Sequence, residues 1–206
     1  MDLPILYEDA DVLAVDKPTG VLTTDLHYGA GYAHRLDKDT SGVLLFGKTP
    51  EALEFLKKAF EKREVKKTYL AFVYGVPKEK KGVIDFEIGR SRKDFRLRSA
   101  QPKARGTLRE AITRYEVVGE DGTHALLKTM PETGRTHQIR VHLKAIHHPV
   151  VGDPLYAPKR PHDLGFDRLG LHAYQIDIPL PSGGRQTITA PIPRELEDAY
   201  QKFARG

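Results

Sequence analysis

Apolar and polar positions along the chain set out a series of short strands interrupted by three helical stretches. Residues 4–7 and 12–15 read as strands joined by Glu8, Asp9, Ala10 and Asp11, after which Pro18 and Gly20 break the pattern into a loop. The apolar run 43–46 predicts a buried strand. Thr49 before Pro50 marks a helix start, with Glu51 in the first turn, Leu53, Leu56 and Phe60 at helical spacing, and Lys57, Lys58, Lys62 and Arg63 gathered near the end as the helix dipole favours. Residues 64–75, EVKKTYLAFVYG, alternate Tyr69, Ala71 and Val73 with Thr68, Leu70, Phe72 and Tyr74. Both faces are largely apolar, so a central strand is expected, and a buried Tyr69 there needs a partner for its hydroxyl. Lys66 and Lys67 suggest that this end of the strand meets something anionic.

Further along, residues 111–118 and 124–130 predict a hairpin around Asp121 and Gly122. A helix is expected within 131–146, with Ile139, Leu143 and Ile146 on its apolar face, Arg135 at its entry and Arg140 on another face; Pro149 ends it. Residues 171–178 and 185–190 form a second hairpin through Pro181, Ser182, Gly183 and Gly184. Residues 193–203 close the chain as an amphipathic helix with Leu196, Ala199, Tyr200 and Phe203 inward. There is no repeat, heptad or low-complexity tract, and no boundary divides residues 1–206, which are expected to form one domain.

Composition narrows the class. A chain of 206 residues can bury its own core, and with no cysteine it holds no disulfide. No apolar run approaches the ~20 residues needed to cross a bilayer, so a soluble, cytoplasmic protein without membrane contact is expected. The net charge of +5 and pI near 9.3 favour an anionic partner such as nucleic acid. Between residues 89 and 109, Arg90, Arg92, Lys93, Arg96, Arg98, Lys103, Arg105 and Arg109 stand against one acid, Asp94. This one-signed run predicts a loop or ribbon that contacts phosphates.

The most concentrated candidate chemistry is YAHRLDKDTSG, residues 32–42. If it is extended, Arg35 and Asp37 share a face and His34 and Leu36 the other, with Thr40, Ser41 and Gly42 suited to a sharp turn. A salt-bridged surface turn explains these residues unless partners lie elsewhere. The nine histidines invite a metal reading, but His137 and His142 are five apart and fall on different helix faces, and the chain has no H-E-x-x-H. Phosphate-binding glycine loops and the G-x-S-x-G elbow are also missing. The residue types left are a carboxylate with arginines, a basic platform and a buried tyrosine. They suit nucleophilic or acid–base work on nucleic acid without metal or cofactor.

Several motifs agree in order and spacing with one family. HRLDKDTSG at 34–42 resembles the signature of the RluA-type pseudouridine synthases, and KKTYLAFVYG at 66–75, GRTHQIRVHL at 134–143, HPVVGDPLYA at 148–157 and LHAYQIDIP at 171–179 resemble the family's further motifs. IGRSRKDFRLR at 88–98 resembles its RNA-gripping loop. The resemblance implies an enzyme that isomerises uridine to pseudouridine in RNA with no cofactor or metal. It makes Asp37 the catalytic carboxylate, through a covalent adduct or by assisting a glycal route. Tyr69 would stack on the flipped uracil and help deprotonate C5, and Arg140 would pair with Asp37. Arg35 would enter the RNA stack, Leu171 would cover the uracil's other face, and Arg90, Arg92, Lys93 and Arg96 would hold the RNA.

The fold expected is α+β: one mixed α/β catalytic domain whose central, mainly antiparallel sheet forms a basic cleft floored by the 34–42 loop. The partner expected is a ribosomal or transfer RNA stem-loop, bound by a monomer. Unlike many relatives, the chain is expected to begin at the first catalytic-domain strand, with no small S4-like RNA-binding domain ahead of it, and its 20–34 segment is short. Two rival readings are a non-catalytic RNA-binding module retaining the fold and a metal-dependent nuclease. The joint presence of Asp37, Tyr69 and Arg140 speaks against the first, and the missing ligand spacing against the second.

Overall fold

A computed structural model describes residues 2–91, 97–100 and 104–204. In chain order the elements are β1 (Ile5–Glu8), β2 (Val12–Lys17), β3 (Gly31–Tyr32), β4 (Ser41–Gly47), α1 (Pro50–Glu61), β5 (Lys66–Tyr74), β6 (Lys81–Asp85), β7 (Ile88–Arg90), β8 (Arg98–Ser99), β9 (Arg105–Arg109), β10 (Ile112–Glu120), β11 (His124–Pro131), α2 (Gln138–Ala145), β12 (Leu171–Pro179), β13 (Arg185–Thr189) and α3 (Arg194–Ala204). Mainly antiparallel pairing with three helices among the described residues makes the fold α+β, as the sequence predicts. The chain divides into two compact units, Met1–Thr68 with His172–Ile192, and Tyr69–Leu171 with Pro193–Gly206.

In the first unit the strands run in the order β1-β2-β4-β12, with β3 on β4 and β13 on β12. Alternate residues of β2 and β4 (Val12 and Ala14, Val43 and Leu45) join Ile176, Ile178 and Ile188 in a core that Leu56 and Ala59 of α1 cover. The opposite faces of β2 and β4 are buried as well, which explains why 43–46 reads as a continuous apolar run rather than an alternation. Thr49 caps α1, its hydroxyl accepting from Ala52 N, with Pro50 in the first turn. Strand β4 starts two residues before the predicted run because Ser41 and Gly42 pair with His172 and Ala173 in a parallel ladder. Gly42 has φ +113°, and a Cβ there would stand 2.2 Å from the Ala173 carbonyl oxygen, so a side chain is excluded.

The second unit pairs β5-β11-β10-β6, all antiparallel. The predicted hairpin is present, and the Asp121 carboxylate closes it by accepting from Thr123 N and His124 N. The α3 residues Leu196, Ala199 and Phe203 are buried, with Phe203 and Phe72 ring centroids 6.1 Å apart; Tyr200 is half-buried. Strand β6 has no counterpart in the sequence reading, because only Ile84 is buried while Val83 is exposed. The basic run, expected as a loop or ribbon, folds in part into a second sheet, β8-β7-β9. It is anchored by Ile88 and Ala100 packing with Ala111, Val141 and Tyr156, and by Arg98 N donating to the Tyr156 hydroxyl at 2.9 Å.

Helix α2 starts later than periodicity suggests. Strand β11 runs through Pro131, and the intervening turn is built by Gln138, whose Oε1 accepts from the Thr133 hydroxyl (2.7 Å) and Arg135 N (3.0 Å). His137 enters the helix at φ +57°, a costly backbone for a residue with a Cβ.

Candidate active site

Asp37 sits on a loop gripped through its backbone. Thr23 Oγ1 accepts from Leu36 N (3.2 Å) and donates to Leu36 O (3.1 Å). The Asp37 carbonyl accepts from Thr40 N at 3.2 Å. Lys17, with no exposed surface, points its ammonium at the carbonyls of Lys38 (3.1 Å), Pro18 (2.8 Å) and Val21 (2.8 Å). Thr19 donates to the Asp39 carbonyl at 2.9 Å. Four successive carbonyls, 36 to 39, are thus engaged, a level of satisfaction that buried backbone requires and that holds the loop in one shape. Leu36 turns inward, Asp37 is half-buried, and Arg35 and Lys38 are exposed. Residues 35–37 are irregular rather than an extended strand, yet the in-and-out alternation survives.

Beside the loop, His34 Nε2 accepts from Leu45 N at 3.3 Å while its ring leans on Phe60, centroids 4.9 Å apart. Burial, with the Lys67 charge adding to it, pushes the His34 pKa down to about 3, so the imidazole is neutral. Burial likewise pulls Lys67 down to about 8. Ser41 Oγ and His172 Nδ1 lie 2.9 Å apart where β4 meets β12.

In the second unit, α2 carries Arg140 with 2% of its surface exposed. Its Nε and Nη2 donate to Asp153 Oδ2 and Oδ1, each at 2.8 Å, a two-point pairing that sets the guanidinium plane. Asp153 Oδ1 also accepts from Leu155 N (2.9 Å) and Tyr156 N (3.0 Å), and the Tyr156 ring lies 5.2 Å from the guanidinium carbon. Two residues on, His142 Nε2 faces the Phe86 carbonyl at 3.0 Å. A carbonyl only accepts, so Nε2 carries the proton and Nδ1 accepts from the Thr113 hydroxyl at 2.9 Å. Gln138 Nε2 in turn donates to Thr113 Oγ1 at 3.0 Å. Tyr69, half-buried opposite Thr129, packs on the cluster that holds Leu171, Ile139 and Leu143.

The structure therefore brings Tyr69 and Leu171 together beside the helix of Arg140, and places Arg35 with Asp37 in the other unit. Arg90 is exposed and lines a cavity of about 460 Å³ with Arg98, Arg109 and Arg135. Arg92, Lys93 and Arg96, also expected to hold RNA, lie outside the described residues. Sequence reasoning missed Lys17 and Thr19, read only as part of a pattern break, Thr23, which no pattern singled out, and Asp153, weighed only as a metal ligand beside the histidines and set aside. Asp before Pro is a turn signal, but nothing local says that this carboxylate meets Arg140. Among the described residues, no three His, Cys, Asp or Glu side chains stand together as metal ligands.

Residues 25–145, a span that includes Asp37, Tyr69 and Arg140, match the family model described as RNA pseudouridylate synthase. An uncharacterized RNA pseudouridine synthase of Mycobacterium bovis is 38% identical over 231 residues, taking in 99% of this chain and 73% of that protein. This chain belongs to the RNA pseudouridine synthase family. The dual-specificity RNA pseudouridine synthase RluA of Vibrio cholerae is 35% identical over 84% of this chain and 76% of its own length, in line with the RluA-type motifs. The solved human RNA pseudouridylate synthase domain containing 1 superposes with a TM-score of 0.81 at 28% identity, covering 93% of this chain and 84% of that one. Family membership makes the chain an RNA-modifying isomerase.

Proposed function

We propose that this pseudouridine synthase isomerises uridine in ribosomal or transfer RNA, with Asp37 as its catalytic carboxylate. The observation that carries the assignment is the loop at Asp37. Four consecutive carbonyls are tied down by Lys17, Thr19, Thr23 and Thr40 N, so the half-buried carboxylate is presented on a backbone that does not need to rearrange. The reaction conserves atoms and electrons: the N1–C1′ bond breaks, the C5–C1′ bond forms, and the proton lost from C5 is matched by one gained at N1. It therefore asks for positioned acid–base and nucleophilic groups rather than a redox partner.

Tyr69 supplies the face for the uracil and helps remove the C5 proton, with Leu171 of the same apolar cluster as the second face. The target nucleotide is taken out of its stem, a cost of a few kcal/mol repaid by stacking, and Arg35, exposed beside Asp37, enters the space it leaves. Arg140, its plane set by Asp153, is the guanidinium that the family resemblance assigns to the reacting carboxylate.

The test is release of label from C5 of uridine in ribosomal and transfer RNA. Asp37→Asn abolishes release while binding RNA within a few-fold of the parent. Persistent release sinks the carboxylate assignment, and a parent chain that binds RNA yet releases nothing establishes the non-catalytic reading instead.

A further inference from the structure

Tyr156, in the second unit, does more than its place in the apolar core requires. It is 4% exposed and packs with Ile88, Ala100, Ala111 and Val141. A phenylalanine would fill that space as well, so packing accounts for the ring and not for the hydroxyl. The hydroxyl has partners on two separate segments. Arg98 N of β8 donates to it at 2.9 Å, and His137 Nδ1 lies 2.9 Å away at the entry to α2. A backbone N–H only donates, so the hydroxyl oxygen accepts from Arg98 and keeps its own proton for a second bond.

His137 is where α2 leaves an easy backbone. Its φ of +57° crowds the Cβ against the following carbonyl, and its side chain makes no capping bond to the helix. A residue in that conformation persists only when its surroundings hold it. Gln138 ties the turn before it, while the imidazole is held by the Tyr156 hydroxyl and stands edge-on to the Tyr156 ring, centroids 5.7 Å apart at 80°. The same tyrosine reaches Arg140. The Arg140 guanidinium and the Lys144 ammonium, one turn apart on α2, lie 5.2 and 5.4 Å from the centre of its ring. Its backbone N donates to Asp153 Oδ1, the carboxylate oxygen that also takes Arg140 Nη2.

We propose that Tyr156 is a positioning residue for the isomerisation, its hydroxyl holding the left-handed entry of α2 and, through that entry, the place from which Arg140 acts. Its effect passes through His137 and the helix rather than through contact with RNA. The proposal rests on the reading that Arg140 serves the reaction.

The experiment compares label release from C5 of uridine by the full chain and by Tyr156→Phe, which keeps the ring beside Arg140 and Lys144 and removes only the hydroxyl. Because small misplacements of a catalytic group are costly, kcat is expected to fall about ten-fold or more while KM stays within about two-fold. An unchanged kcat overturns the proposal. So does a rise in KM alone, which would make the hydroxyl a support for RNA binding through β8. A second pair of variants keeps the proposal open to refutation where Tyr156→Phe fails to fold. Asparagine tolerates a left-handed backbone and offers an oxygen near the position of Nδ1, so His137→Asn is expected to keep kcat within about three-fold of the parent. His137→Ala, with no acceptor for the hydroxyl, falls as far as Tyr156→Phe. Equal rates for the two overturn the proposal: if both match the parent, the bond to the hydroxyl has no bearing on the reaction, and if both are slow, the imidazole itself is what the reaction needs. Arg140→Lys is measured alongside. Release at the parent's rate there sinks the reading of Arg140 on which the proposal rests, whereas a slow Arg140→Lys beside a Tyr156→Phe as fast as the parent sinks the positioning role alone.

Discussion

Around Asp37 the polypeptide is held by its carbonyls, whereas around Arg140 it is held by its side chains. In the first case Lys17, Thr19 and Thr23 reach in from a neighbouring segment and bond to main-chain oxygens, so the loop's backbone is tied independently of the exposed side chains of Arg35 and Lys38. In the second, Gln138, Arg140 and His142 are buried on one eight-residue helix and themselves make the bonds to Thr133, Asp153, Thr113 and Phe86. A loop built the first way can present reactive groups at little cost to the fold. A helix built the second way couples each buried polar residue to stability, because removing a partner strands a desolvated group.

The sharpest break of this contrast is Asp153→Ala. It leaves the Arg140 guanidinium buried without its two-point partner and is expected to cost about 3–5 kcal/mol, read by chemical denaturation; a loss under ~1 kcal/mol would show that α2 does not depend on the pair. Next is Lys17→Met, which removes the ammonium from three carbonyls. About 2–3 kcal/mol of stability should go, with slower label release as the loop loosens. Stability lost with no change in rate would separate the loop's shape from catalysis.

A smaller effect follows from His34. Its folded pKa, about 3, lies below the ordinary value of 6.5, so between those two the unfolded chain takes up a proton that the folded one refuses. Stability therefore falls as pH drops from about 6.5 towards 3. His34→Gln should flatten that part of the pH–melting curve, and an unaltered curve would mean that the ring is protonated in place. The smallest expected effect is the stability change of Asp37→Asn, about 1 kcal/mol or less, in a variant expected to lose all isomerisation. A loss as large as that of Asp153→Ala would erase the distinction between the two regions.

Much of this was legible in the linear pattern. The buried strand inside β4, the alternation of β5, the Thr49 cap of α1 and the Asp121 turn are signals a few residues long, and each appears where the pattern puts it. The family motifs likewise brought Asp37, Tyr69 and Arg140 into view. Strand β6 escaped because one buried residue leaves no period, and the start of α2 was misplaced because a Gln138 side chain, not a standard cap, builds the preceding turn.

Hydrophobic periodicity and turn chemistry are local properties, carried by the order of residues, and they were enough to mark most of the elements, while the family motifs singled out Asp37 as the candidate carboxylate. Which buried polar group satisfies which other is not local. Lys17 finds the carbonyl of Lys38 and Arg140 finds Asp153 only when folding brings distant segments together and removes the water that would otherwise have bonded to each. The candidate chemistry could be read in one dimension; its supports exist only in three.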